Sequence, residues 1–332
     1  MQPYPSVRRY LFLVAFACLS LCLPDLPAAE ATAIVRLVPL PDRVRIEIDG
    51  ELFTEYIFGG NIPKPYLYPI NAADGTRLSR EHPMVDTPED ERDHPHHRSL
   101  WFGHGEVNGQ NFWGESDGAG RIVHESLVEM KSGPVGLLRS RNRWESKDGV
   151  VVCADETTVR VQAVPCGRLL DYEITLRAPI SAPVTFGDTK EGTMAMRLSP
   201  WMAMRHRLLG NPVTGPGHAI NSVGDRDAAT WGKRAAWADY FAPRDDKVHG
   251  VAIFDHPQNP RHPTWWMLRD YGLFAANPFG RHDFENLKDQ PKIGEFVLPP
   301  GGSVTFRYRF LVHEGDTTTA GVAERYSEYA KR

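Results

Sequence analysis

Histidines are concentrated in one short segment of the chain. Four of the 13 histidines, His94, His96, His97 and His104, lie between residues 94 and 104. An imidazole can transfer protons near neutral pH or bind a metal ion, and a neighbouring carboxylate such as Asp93 can orient the ring. The spacing matches no common zinc motif. Acid–base chemistry, a divalent metal site and a purely structural role in a loop therefore all stay open.

The residues that follow His97 alternate in character. If this segment is extended, successive side chains point to opposite sides. Ser99 and Trp101 then lie on the side of His97, whereas Arg98 and Leu100 lie on the other. This alternation predicts a polar cluster beside an aromatic wall.

A second set of ionisable side chains lies at residues 188–191, where Asp188, Lys190 and Glu191 occur together. Such a run is usually a solvated, charged turn. If Glu191 instead points into a pocket, it can act as an acid or a base. Together with a histidine of the first segment it would supply the two differently tuned groups that proton transfer requires.

A third region combines tryptophan with cationic side chains. Arg205 and His206 follow Trp201 and precede Trp231 and Trp237. Tryptophans commonly fill cores. Aromatic faces beside hydrogen-bond donors also suit the mixed apolar and hydroxylated surface of a sugar ring, so we predict carbohydrate binding, with core packing as the alternative.

Together these regions define a predicted site for a sugar or glycoside. We predict that His97 and Glu191 transfer protons in a hydrolysis, elimination or epimerisation, a choice that the sequence leaves open, as it does any cofactor. The alternative from another class is a module that binds glycans or another protein without turnover. The further catalytic positions are His96 and His206, and the predicted substrate-binding positions are Arg98, Trp101, His104, Asn108, Trp113, Lys190 and Arg205.

Strand patterns dominate the elements that must position these residues. Apolar and polar residues alternate at residues 43–48, before an Asp49-Gly50 turn. In the segment 304–312 we predict a buried face with Phe306 and a wet face with Arg309. Further segments with strand character are residues 141–145, 150–164 and 169–177.

Helical spacing occurs at residues 319–331, and no internal repeat or linker divides the chain. The sequence therefore predicts an all-β fold, a large antiparallel β-sandwich with long functional loops and a short C-terminal helix. We expect residues 30–332 to form this one domain.

The N-terminus has the pattern of a secretory signal. Arg8 and Arg9 precede an apolar run at residues 11–23 and a small-residue stretch at residues 27–31. The 13 apolar residues are too few for a membrane span, which needs about 20. We predict a signal peptide at residues 1–29, a periplasmic or secreted protein, and no membrane span after cleavage.

The net charge bears on the class of partner, and the two cysteines outside the signal bear on disulfide formation. A formal net charge of -4 is too small to indicate nucleic acid. Cys153 and Cys166 would lie in an oxidising compartment, where they could form a disulfide or remain two separate thiols.

The string at residues 93–109, with Phe112 and Trp113 after it, resembles the bacterial "PmoA family protein". Residues 190–192, 265–280 and 298–310 are also similar to that family. The resemblance implies an exported protein of polysaccharide-degrading bacteria. The family name points to methane oxidation, but that membrane enzyme subunit needs several hydrophobic spans, which this sequence lacks after its signal, so we discard methane oxidation. A metal-dependent oxidoreductase, which the name also suggests, stays open as a third alternative. The last predicted strand also resembles that of galactose-mutarotase-like supersandwiches.

Overall fold

The alternating segment at residues 43–48 forms a strand that turns directly into the next one, as predicted. A computed structural model describes residues 1–2, 33–87, 90–208 and 210–331. In it Asp49 and Gly50 have φ of 52° and 86°, the positive values that a tight two-residue hairpin requires at both positions. The predicted signal peptide lies outside the described residues, apart from its first two positions.

Strands make up most of the described residues, and they form two large sheets. We number them in chain order. They are β1 (Val35–Pro39), β2 (Arg43–Ile48), β3 (Glu51–Ile57), β4 (Tyr66–Leu67), β5 (Leu100–His104), β6 (Arg121–Lys131), β7 (Gly136–Glu145), β8 (Val151–Val164), β9 (Gly167–Arg177), β10 (Val184–Phe186), β11 (Gly192–Arg197), β12 (Arg205–Leu208), β13 (Asn211–Thr214), β14 (His218–Asn221), β15 (Trp237–Arg244), β16 (Lys247–Asp255), β17 (Trp265–Leu268), β18 (Leu273–Asn277), β19 (Phe296–Leu298) and β20 (Ser303–Glu314).

Helical segments are short. The two α-helices of the described residues are α1 (Arg281–Phe284) and α2 (Val322–Tyr329), and one-turn 3-10 helices span Pro200–Met202 and Asp227–Thr230. The predicted C-terminal helix is therefore present but shorter than residues 319–331. None of the helices that the structure describes has the length and apolar character to cross a bilayer.

Each large sheet is antiparallel and contains eight strands in the described part of the chain. The first sheet has the order β1-β2-β3-β4-β5-β11-β18-β17, and the second has the order β14-β15-β16-β20-β9-β8-β7-β6. Residues from Ala33 onward form one compact unit. The predicted all-β class, an antiparallel sandwich with long loops and one short C-terminal helix, is confirmed.

The inner faces of the two sheets share one hydrophobic core. On β5 the side chains of Leu100 and Phe102 point into it, and on β20 those of Phe306, Tyr308 and Phe310 do so. Because side chains alternate along a strand, the residues between them point to the outer faces of the sandwich.

Part of the outer face of the second sheet, over β9, β16 and β20, is covered by α2, and one prediction fails for this reason. Tyr329 of α2 packs over the guanidinium of Arg309 at 4.6 Å. Arg309 also binds the carboxylate of Asp171, and only 3% of its surface is exposed. The expectation that Arg309 lies on a wet face is therefore wrong, because a local alternation pattern does not register a helix that docks from elsewhere.

The outer face of the first sheet is covered by loops and by α1. Trp113, Trp231, Tyr271 and Phe284 from these segments pack on outward-facing side chains of the sheet. This loop layer contains most of the predicted site residues. Cys153 and Cys166 are both free thiols, so no disulfide joins them.

Candidate functional site

Two buried tryptophans form the base of the loop layer on the first sheet. Trp101 points outward from β5, and its ring lies 5.0 Å from that of Trp113. The Trp113 loop lies close to β5 at Gly103, where a Cβ would stand 2.7 Å from the carbonyl oxygen of Phe112. Both tryptophans are almost fully buried. They therefore pack beneath the surface and do not present the open stacking wall predicted for them.

Four rings stack from this base towards solvent. His97 lies on Trp101 at 5.3 Å, and His94 lies on His97 at 4.7 Å with an interplanar angle of 5°. Tyr271 covers His94 at 5.5 Å and 8°. We call Trp101, His97, His94 and Tyr271 the ring stack. His97 is only 1% exposed, whereas the His94 side chain is 42% exposed, so His94 is the histidine of the stack that a solute can reach.

The backbone that builds this stack is a turn and not the extended segment predicted from His97. His94 and Ser99 both have positive φ, 42° and 58°. His97 nevertheless lies on the same side as Trp101, as predicted. Arg98 does not point into the core with Leu100, since its guanidinium binds the carboxylate of Glu115 through two nitrogens.

A carboxylate between two buried arginines anchors the stack. Asp93 accepts hydrogen bonds from Arg80 and from Arg197, which are 1% and 3% exposed. Burial alone would raise the pKa of the Asp93 carboxyl, but the hydrogen bond from His94 and the charges of Arg197 and Arg80 outweigh it and hold that pKa well below its usual range. Asp93 is therefore ionised at neutral pH.

The ionised Asp93 determines which nitrogen of His94 carries a hydrogen. Nδ1 of His94 lies 2.5 Å from Oδ2 of Asp93. A carboxylate can only accept, so Nδ1 donates and the lone pair of the neutral ring is on Nε2. This aspartate–histidine pair resembles the arrangement that makes a histidine a general base in other enzymes.

His97 is held neutral below His94. Its Nδ1 accepts a hydrogen bond from Arg197 at 3.2 Å. Burial, followed by the charge of Arg197, lowers the pKa of His97 well below its ordinary value. With its ring enclosed on both faces, His97 positions His94 and does not itself face solvent.

His96 lies beside the stack, edge-on to His97 at 4.5 Å. Burial and then the charge of Lys64 lower the pKa of His96 to about 4. Lys64 is buried and donates to the carbonyl of Trp113 and to Glu115, both at 2.9 Å. Burial lowers the pKa of Lys64 to about 8.

Glu191 approaches the same face from the other end of the strand pair. Gly192 is opposite His104 and Met196 is opposite Leu100 in the β5–β11 register, so His97 and Glu191 come from opposite ends. No hydrogen bond or ion pair connects these two side chains in the part of the chain that the structure describes. That His97 and Glu191 line one cavity stays a prediction.

Tyr271 connects the two ends electrostatically. Burial raises the pKa of the Tyr271 phenol, and the carboxylates of Asp93 and Glu191 add to this rise against the opposing charges of Arg197 and Arg269. Glu191 is 38% exposed and forms an ion pair with the equally exposed Lys190 at 3.4 Å. Glu191 is thus a solvent-accessible carboxylate that is paired with Lys190.

Arg205 and His206 lie close to the turn that carries Tyr271. The guanidinium of Arg205 pairs with Asp270 at 2.9 Å. His206 lines a narrow gap together with Arg197 and Tyr271. Both predicted residues therefore lie at the border of the ring stack.

Two predicted residues lie away from this cluster. His104 points into the core, where its Nε2 contacts the carbonyl oxygen of Gly187 at 2.8 Å and burial lowers its pKa to about 4. Asn108 is a turn residue whose side chain bonds the backbone of Pro183 and Thr185. Neither side chain is placed to contact a ligand on the ring stack.

Tyr271 lies in the segment 265–280 that resembles the family, but Arg80 and Arg197 are site residues that the sequence did not indicate. They occur singly among ordinary strand and turn residues, so no local pattern marks them. His94 and Asp93 were within the histidine-rich segment, and its high density of histidine was the available signal. Among the described residues, no group of three or more His, Cys, Asp or Glu side chains has the geometry to hold a metal ion.

Comparison with known proteins gives a family and distant structural neighbours. A model described as a family of unknown function (DUF6807) matches residues 43–327. No curated protein matches the chain.

The solved structures that are similar to this chain have low sequence identity. A galactose mutarotase-like protein from Lactobacillus casei ATCC 334 has 8% identity and a TM-score of 0.38, covering 84% of this chain and 100% of its own. A putative aldose 1-epimerase from Escherichia coli K12 has 11% identity and a TM-score of 0.31, covering 84% and 99%. A Glycoside Hydrolase Family 97 enzyme from Pseudoalteromonas sp. strain K8, in complex with panose, has 10% identity and a TM-score of 0.33, covering 87% and 35%. Similarity at this level transfers neither an activity nor a substrate.

Proposed function

We propose that this chain, which belongs to the family of unknown function DUF6807, is an exported enzyme that acts on a sugar or glycoside by acid–base chemistry at the ring stack. The observation that carries the proposal is the exposed His94, fixed between two aromatic-type rings and hydrogen-bonded to an ionised Asp93. The family resemblance to the "PmoA family protein" of polysaccharide-degrading bacteria is consistent with a carbohydrate substrate.

His94 is the residue that we assign to proton transfer. Its Nε2 is the basic nitrogen, and Asp93 stabilises the imidazolium that forms when Nε2 takes a proton from a substrate hydroxyl or C–H group. The buried Arg80 and Arg197 keep Asp93 ionised throughout. His97, our first choice from the sequence, becomes a positioning residue, because it is enclosed between Trp101 and His94.

Glu191 is the second titratable group of the proposed mechanism. In this mechanism its exposed carboxylate returns a proton to the substrate or activates water. Lys190 balances its charge in the free protein. Hydrolysis, elimination and epimerisation all use such a pair of groups, and they differ in which substrate bond breaks.

The proposed activity is tested by incubating the purified protein with a panel of glycosides that includes oxidised sugars, with products followed by NMR. We expect His94→Gln to lower the rate by about 10²–10⁴-fold, the usual contribution of a general acid–base group, and Glu191→Gln to lower it as well. The matched control is His218→Gln, an exposed histidine on β14 of the second sheet. Failure to turn over any glycoside, or full activity in His94→Gln, would exclude the proposed chemistry, and binding without turnover would support the binding-module alternative.

Export is tested separately. We expect the full-length chain to accumulate in the periplasm or the medium of a bacterial host with its N-terminus after Ala29 or Ala31. An intact Met1 on cytoplasmic protein would contradict this part of the proposal.

A further inference from the structure

Two large cavities lie at one end of the sandwich. The first, of about 630 Å³, is lined by Pro200, Trp201 and Arg244. It shares Pro200 with the narrow gap beside Tyr271. The second, of about 620 Å³, is lined by Asp74 and His249 among others. Both volumes lie in the range of about 300–1,000 Å³ that small-molecule sites occupy.

The two large cavities adjoin because consecutive residues line them. Gly75 and Asp245 belong to the first cavity, and their chain neighbours Asp74 and Asp246 belong to the second. We call the two cavities together the end cleft. Pro200 lines both the first cavity and the gap of about 10 Å³ beside Tyr271, so the end cleft lies next to the proposed reaction site but does not open to it through this gap.

Trp201 provides an aromatic surface in the end cleft. Its indole is partly buried and is fixed by a hydrogen bond from Nε1 to the carbonyl oxygen of Arg77 at 3.1 Å. The guanidinium of the exposed Arg244 lies over the ring at 4.9 Å. A fixed aromatic ring beside mobile hydrogen-bond donors is the combination that suits the apolar face and hydroxyl groups of a sugar.

His249 supplies an independent indication of a ligand. It is 2% exposed and lies edge-on to Trp201 at 6.1 Å. Its Nε2 is 3.6 Å from the carboxylate of Asp74, but its Nδ1 has no hydrogen-bond partner among the described residues. Buried polar atoms normally have partners, and a ligand hydroxyl in the adjoining cavity would provide one.

The charge of the end cleft indicates the type of ligand. Its carboxylates outnumber its cationic groups, and Lys247 already bridges two of them, Asp74 and Glu314, at 3.2 Å. An acidic ligand would be repelled. The carboxylates are Asp74, Glu81, Asp90, Asp245, Asp246, Glu314 and Asp316, and the cationic residues are Arg77, Arg244 and Lys247.

We propose that the end cleft holds additional units of an uncharged oligosaccharide whose reacting unit lies at the ring stack. This inference rests on the proposed function and narrows its substrate class from a sugar to a chain of neutral sugars. Trp201 stacks on one unit, and His249 accepts or donates a hydrogen bond with a hydroxyl of a unit further along.

The test measures affinity and not turnover. Calorimetry compares the cello-, malto-, xylo- and mannohexaoses with the corresponding disaccharides and with hexagalacturonate. We expect at least one neutral hexasaccharide to bind tenfold or more tightly than its disaccharide, and hexagalacturonate to bind more weakly. Trp201→Ala and Arg244→Ala should reduce the advantage of the hexasaccharide and leave disaccharide affinity unchanged.

Controls separate this inference from the proposed function. Arg244 is exposed, so Arg244→Ala should leave the fold intact even if Trp201→Ala unfolds, and Arg141→Ala on β7 serves as an exposed arginine elsewhere. Equal affinity for hexasaccharides and disaccharides, preferred binding of hexagalacturonate, or full hexasaccharide affinity in Arg244→Ala and a folded Trp201→Ala would each overturn the end-cleft proposal. If one of these results occurs but His94→Gln still abolishes turnover, the end-cleft proposal fails and the proposed function stands. If the protein binds no saccharide at all, both the end-cleft proposal and the proposed function fail.

Discussion

Replacing Asp93 by asparagine tests whether a buried charge cluster holds the ring stack. The substitution keeps the size of the side chain and one hydrogen-bond acceptor, and it removes the negative charge. Arg80 and Arg197 then face each other's positive charge without the carboxylate that pairs with both of them. Both guanidinium groups are almost completely buried, so neither can turn to water to recover what it loses.

The loss of unfolding free energy expected for Asp93→Asn follows from this burial. Removing one partner of a buried ion pair costs about 3–5 kcal/mol of unfolding free energy, because the other charge is left unpaired. Asp93 itself is 28% exposed, which favours the lower end, about 3 kcal/mol. A domain typically has about 5–15 kcal/mol of stability, so Asp93→Asn should remain folded at 25 °C.

Urea unfolding at pH 7, followed by tryptophan fluorescence, measures this change. The control is Asp86→Asn, since Asp86 pairs with Arg92 on the surface, where an ion pair contributes about 0–1 kcal/mol. If Asp93→Asn loses no more stability than Asp86→Asn, the anchoring role of the cluster is wrong.

The pH dependence of the unfolding free energy gives a second check that ionised Asp93 stabilises the fold. The pKa of Asp93 is lowered in the folded state, so its stabilisation is present above the ordinary value near 4 and is lost as the pH falls through the lower folded value. The stability difference between wild type and Asp93→Asn should therefore be constant above about pH 5 and should shrink below about pH 4.

Three further predictions concern stability. Burial raises the pKa of Asp155 to about 6 from 3.8, so the stability of wild type relative to Asp155→Asn should fall by about 2 kcal/mol as the pH rises from 4 to 6, and a flat difference would contradict this. Burial lowers the pKa of His104 to about 4 from 6.5. The unfolding free energy of wild type relative to His104→Gln should therefore fall by about 3 kcal/mol as the pH falls from 6.5 to 4, which urea unfolding at a series of pH values measures. Tyr329→Ala should cost about 3 kcal/mol, typical of a buried aromatic residue, since it removes the ring that packs on Phe254 and Arg309; a loss below 1 kcal/mol would show that α2 is not held by this contact.

The alternation of apolar and polar residues along the chain determined the strands, and hence the fold class. This pattern depends on neighbours one and two residues away, so it can be read locally. The Asp49-Gly50 hairpin followed in the same way, because positive φ at both turn positions is a property of the turn itself. The density of histidine at residues 94–104 likewise marked the loop on which the ring stack is built.

The tertiary structure alone decided which of these residues act together. Arg197 reaches Asp93 and His97 because β11 pairs with β5, and Tyr271 covers His94 because the turn before β18 lies in the same loop layer. His104 belongs to the same histidine-rich segment yet points into the core, since the pleat of β5 places it on the opposite face from Trp101. Strand register and loop packing bring together groups about 100 or more residues apart, and a local sequence pattern contains no information about that distance.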